Sequence, residues 1–119
     1  MATVDLTSEN FNNIIDTNDI VIVDYWAPWC APCRAFAPTF EHSANNNPGI
    51  VFAKVNTEDE QEIGQQFGIR SIPTLMIFKE QIIVFSQAGA LTGADLQHVI
   101  DKALALDMDA VRAEMAEKS

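Results

Sequence analysis

The chain has 119 residues, enough for one domain that buries about two-thirds of its unfolded surface. Seventeen acids against seven bases give a net charge of −10, which repels phosphate backbones and anionic lipid, so no nucleic-acid partner is expected. Apolar residues make up 48%, yet no apolar stretch approaches the roughly eighteen residues of a membrane span, so neither disorder nor a membrane partner is expected.

The start, Met1 to Asp5, has no basic region and no apolar region, so no signal peptide is expected and a cytoplasmic location follows. Val4 and Leu6 alternate with Asp5, as in a short strand. Thr7 or Ser8 caps a helix whose apolar side is Phe11, Ile14 and Ile15. Ile20 to Val23 is a continuous β-branched run, typical of a strand buried on both faces. Arg34 to Ala44 has helical spacing, with Phe36 and Phe40 on one side and Pro38 as an expected kink. Asn45 to Gly49 is a turn, and Ile50 to Val55 a second buried strand. Thr57 to Glu60 has the pattern of a capping box for a helix carrying Ile63 and Phe67 and closed by Gly68. The run Glu58 to Glu62 is read as its solvated first turn. Thr74–Phe78 and Ile82–Phe85 form an antiparallel hairpin. Thr92 opens a helix with Leu96, Val99, Ile100, Ala103 and Leu104 on one face.

Strands and helices alternating in this way predict an α/β domain over residues 1–105, with a central mixed sheet and helices on both faces. Residues 106–119 form a C-terminal helical extension. Asp107 is its cap, Leu106 and Val111 its hydrophobic staple, and Met108, Val111 and Met115 its apolar stripe.

Two cysteines, Cys30 and Cys33, cannot staple a scaffold or complete a four-ligand zinc site, and no metal is expected. They follow a buried strand and open a helix. The unpaired N–H groups and the dipole at that helix start stabilise a thiolate. Pro32 fits the first turn because its missing N–H costs nothing there. The spacing brings the two sulfurs close enough for a disulfide. It makes Cys30 the attacking sulfur and Cys33 the resolving one. A static disulfide or two buried core thiols would share the bare spacing. The strand–helix context favours redox chemistry. Asp24 interrupts a buried strand, where desolvation can raise a carboxyl by about 3–5 pH units, a cost that points to use.

The segment Trp26-Ala27-Pro28-Trp29-Cys30-Ala31-Pro32-Cys33 resembles the active-site sequence of the thioredoxin family. The likeness continues through Ala53 to Asn56, Phe67 to Leu75 and Gly89 to Leu91, and spans roughly Leu6 to Leu104. It implies a thioredoxin-like fold and a thiol–disulfide oxidoreductase that reduces disulfides in client proteins. No cofactor is implied, and an NADPH-dependent thioredoxin reductase is the implied electron donor. Carried onto matching positions, it implies a cis bond before Pro73 and a shallow client groove along Trp29, Ile72, Pro73 and Gly89. Main-chain pairing would bind the client there. It makes Asp24 the proton acceptor for Cys33, with Lys54 beside it and Trp26 packed under the loop. A disulfide oxidase or isomerase and a non-enzymatic peptide-binding module are the alternatives on the same fold. Two departures stand out. Ala31 replaces the common glycine between the cysteines, and Glu80-Gln81 replaces a glycine-containing hairpin turn.

Overall fold

In the computed structural model, which describes residues 2–118, the elements run β1 (Thr3–Asp5), α1 (Phe11–Thr17), β2 (Ile20–Trp26), α2 (Ala31–Asn46), β3 (Val51–Asn56), α3 (Gln61–Gln66), β4 (Thr74–Lys79), β5 (Ile82–Ala88), α4 (Gly93–Ala105) and α5 (Met108–Lys118). Met1 and Ser119, the outer ends of the two segments expected from sequence, lie outside the described residues. The strands lie in the order β1-β3-β2-β4-β5. β2 pairs parallel with β3 and antiparallel with β4, and β4 and β5 form the expected hairpin. No helix among the described residues is long and apolar enough to cross a membrane.

β2 holds the middle of this sheet, and helices cover both of its faces. Val21, Val23 and Tyr25 pack with Phe11, Ile15 and Ile63 on the α1 and α3 side. Ile20 and Ile22 pack with Phe36, Phe40, Leu96 and Ile100 from α2 and α4. Side chains along a strand alternate between faces, so one β-branched run supplies both cores. Each such side chain contributes roughly 1.5–3 kcal/mol on burial. Asp24 is two residues beyond Ile22 and shares its face, the one covered by α2.

Several local signals give way to tertiary partners. Thr57 and Glu60 form no capping box: Thr57 Oγ1 donates to the Trp26 carbonyl at 2.9 Å, Glu60 Oε1 accepts the Ser8 N–H at 2.9 Å, and α3 begins only at Gln61. Glu58 therefore lies in a turn rather than in a helix. α1 begins at Phe11, later than a Thr7 or Ser8 cap would place it, because Asn10 Oδ1 takes the Thr7 N–H at 2.7 Å and builds a turn first. α2 runs through Pro38 unbroken. Leu104 is exposed rather than buried, one residue before α4 ends. Asp107 does cap α5, accepting the Asp109 N–H at 3.0 Å and the Ala110 N–H at 3.3 Å.

Lys79, at the end of β4, carries no signal in the sequence pattern, yet it is buried. Its Nζ donates to the carbonyls of Ala103 at 2.8 Å, Leu104 at 3.1 Å and Leu106 at 3.0 Å. They lie where α4 stops and its last carbonyls lack helical partners, although the Ala103 carbonyl also accepts the Leu106 N–H at 3.3 Å. One side chain thus closes α4 and fixes the turn into α5. Lys79→Met keeps the apolar stem and removes a charged donor from three acceptors, of which the Ala103 carbonyl retains another backbone donor, the Leu106 N–H. It should lower the unfolding free energy by about 1–3 kcal/mol. Urea melts would read this as a lower midpoint at unchanged slope.

Candidate active site

β2 leaves the core at Trp26, and α2 starts at Ala31, so the intervening loop sets Cys30 at the N-cap of α2. Its backbone is extended, with φ −86° and ψ 109°. Cys30 Sγ accepts the Cys33 N–H at 3.2 Å, and the Cys30 carbonyl accepts the Arg34 N–H at 3.1 Å. The two cysteines are joined in a disulfide, with Cα atoms 5.2 Å apart. Pro32 sits in the first turn, where its ring displaces no helical bond. Cys30 is 4% exposed and Cys33 2%, so place on the helix separates the two more than exposure does.

Three further segments converge on this pair. The Ile72–Pro73 bond is cis, and the Ile72 carbonyl oxygen lies 3.7 Å from Cys30 Sγ. The Pro73 carbonyl accepts the Gly89 N–H at 2.8 Å, which ties the end of β5 to the proline. Gly89 has φ +101°, a conformation that side chains resist. Trp29 is 66% exposed, and its indole N–H donates to Glu58 Oε1 at 2.8 Å. Trp29 and Ile72 line one cleft of about 270 Å³ together with Gln61, Gln65 and Arg70, and neither Pro73 nor Gly89 lines it. Glu58 was missed in the sequence as anything but a solvated acid. No sequence signal could have found it, because an exposed indole N–H can equally be satisfied by water. Trp26 packs against the cluster of Ala27, Cys30 and Cys33, and its carbonyl accepts the Thr57 N–H at 2.8 Å.

Beneath α2 lies Asp24, 1% exposed, with no hydrogen-bond partner for either carboxylate oxygen among the described residues. Burial raises its pKa from 3.8 to about 7, and the nearby Lys54 charge opposes part of that rise. Lys54 is the register partner of Asp24 on β3. Its Nζ is 4.7 Å from the centre of the Trp26 ring, a cation–π contact that holds the ammonium without an ion pair to Asp24. The arrangement sets a carboxyl with a pKa of about 7 on the sheet face covered by α2, the helix whose N-terminus carries the disulfide.

The thioredoxin family model matches residues 2–102. The chain is 52% identical over 117 residues to a putative thioredoxin 2 of Streptomyces coelicolor, covering 98% of this chain and 87% of that one. It is 41% identical over 105 residues to thioredoxin 1 of Nostoc, covering 87% of this chain and 98% of that one. The solved structure of Plasmodium falciparum thioredoxin superposes with a TM-score of 0.79 at 33% identity, over 84% of this chain and 98% of that one. These relatives do not favour the oxidase or binding-module alternatives. The chain belongs to the thioredoxin family, and it is a protein-disulfide reductase working by thiol–disulfide exchange.

Proposed function

We propose that Cys30 is the nucleophile, Cys33 the resolving thiol and Asp24 the proton acceptor in this exchange. Membership of the family implies disulfide-bearing client proteins and a thioredoxin reductase as partners. The observation that carries the role assignment is the Cys33 N–H aimed at Cys30 Sγ at the mouth of α2. That donor and the helix dipole stabilise a Cys30 thiolate by about 1–2 kcal/mol, whereas Cys33, a residue inside the first turn, gains less.

The Cys30 thiolate attacks one sulfur of a client disulfide. A mixed disulfide forms, and the first client sulfur leaves as thiolate. Asp24 then takes the Cys33 proton. The Cys33 thiolate attacks Cys30 Sγ, which releases the second client sulfur and leaves the Cys30–Cys33 disulfide. Two electrons have passed to the client, and its two thiolates take up protons. An NADPH-dependent thioredoxin reductase returns two electrons to the pair, in the cytoplasm. Lys54 keeps its charge near Asp24 and moderates the cost of ionising it. Trp26 and Pro32 hold the loop and the first turn. Trp29, Ile72, Pro73 and Gly89 border the client, whose backbone pairs beside Ile72.

Iodoacetamide should label Cys30 before Cys33 in the reduced protein, and peptide mapping of the partly modified chain would show the reverse order if the roles were exchanged. Cys33→Ser should accumulate client proteins as mixed disulfides on Cys30, while Cys30→Ser should accumulate almost none. Non-reducing gels of the two variants after exposure to oxidised clients compare them directly.

Asp24 sets function against stability. Its folded-state pKa of about 7 stands above the ordinary 3.8, so the native state holds a proton that the unfolded chain releases between those values. Stability is therefore lost as pH rises from about 4 to 7 and is level above that. A rise of about three corresponds to about 4 kcal/mol at most. Asp24→Asn keeps the volume and removes the titration. Its advantage over the parent should open across that window, reaching about 2–4 kcal/mol above pH 7. Its single-turnover release of clients from the mixed disulfide should slow. Denaturant melts from pH 4 to 9, with stopped-flow reduction, measure both. A gap that stays constant with pH would remove the buried ionisation.

A further inference from the structure

We propose that the groove between α5 and the outer side of α1, β4 and β5 is a docking surface for a basic amphipathic helix of a partner protein. The apolar stripe of α5 opens away from the domain. Met108 is 5% exposed, Val111 is half-buried, and Met115 is 50% exposed. A helix docked along its whole length would bury all three. What Val111 and Met115 face instead is an open groove of about 920 Å³, walled on its far side by Phe11, Ile15, Phe67 and Phe78. Of the six large apolar side chains that are exposed among the described residues, Ile83, Leu106 and Met115 line this groove. That concentration marks an interaction surface rather than scatter.

A clasp in the β4–β5 hairpin ties the two walls of the groove together. Glu80 and Gln81 both have positive φ, 50° and 70°, in a turn where glycine would be relaxed. Their side chains tie the turn to both helices. Glu80 accepts the Arg112 guanidinium of α5 at 2.6 Å, and the Gln81 amide donates to the Asp16 carbonyl in α1 at 3.4 Å. Lys79 fixes the turn that leads into α5. Three consecutive residues thus brace both walls.

Pattern and charge select the occupant. Met108, Val111 and Met115 follow the i, i+3, i+7 spacing of a helix–helix seam. The cations at the groove are already engaged: Arg112 with Glu80 and Asp109, and Lys118 with Glu114 at 3.2 Å. Asp16 lines the groove with no ion pair among the described residues. The chain around it carries −10. An acidic helix or a second copy of this chain would be repelled, and a basic helix would be drawn in.

The probe is a fluorescent 18-residue Leu/Lys peptide with leucines at helical spacing. Its controls are the same composition scrambled and a Leu/Glu version. Anisotropy should show the patterned basic peptide binding at least tenfold more tightly than either control. Met115→Glu and Ile83→Glu should each weaken it at least tenfold and leave insulin reduction unchanged. The sign is decisive, because charge attraction alone would grow with each added acid. Equal or tighter binding by the variants would overturn the proposal. So would a dimer in sedimentation that Met115→Glu dissolves, since the occupant would then be a second copy. Full hydrogen-exchange protection of residues 111–118 without peptide would also overturn it, since α5 would then fill the groove itself.

Discussion

The absence of any solvent-facing side on β2 governs most of what this molecule does. A strand paired on both edges and covered on both faces offers no water to a charged group. Asp24 sits in that strand, so its proton is held until neutral pH. The same strand delivers the loop that carries the cysteines, and α2 packs back over it. The thiol chemistry at the start of α2 and the carboxyl in the strand are therefore two ends of one connected segment. The domain accepts a local cost at Asp24 because the flanking isoleucines and valines hold the strand in place regardless.

Lys54 shows how finely that cost is set. An ion pair with Asp24 would ionise the carboxylate well below neutral pH. Holding the ammonium over the Trp26 ring keeps the charge close enough to moderate Asp24 and too far engaged to neutralise it. Trp26 thereby joins the loop, the lysine and the cysteine cluster in one packed unit.

Most of the fold was legible because its signals are local and redundant. The β-branched run at Ile20, the two apolar runs either side of Glu80-Gln81 and the Asp107 cap are each readable from neighbouring residues. The cysteine pair was legible because its chemistry requires a helix start, and the sequence announces one. Partnerships between distant segments were not legible. Thr57 and Glu60 spell a capping box, but their side chains find Trp26 and Ser8 instead. Glu58 looks like one more surface acid, and only the fold brings its carboxylate to the Trp29 indole N–H. Lys79 looks like a strand-end lysine reaching for water, and only the fold brings three carbonyls from the end of α4 and the following turn beside it. In each case the competing partner is tens of residues away, where no periodicity can point to it.

β4 begins directly after Pro73 and ends at Lys79, six residues of nearly straight backbone, or about 17–20 Å. One end borders the disulfide, and the other anchors the C-terminal helix. The two ends share a strand but no side-chain partner. Inheritance can therefore treat them as separate fields. Substitutions at the hairpin and in α5 can change the company the protein keeps while its electron chemistry stays constant. A lineage could thus multiply copies of one reductant, each posted to a different address by a few residues at the far end of a single strand.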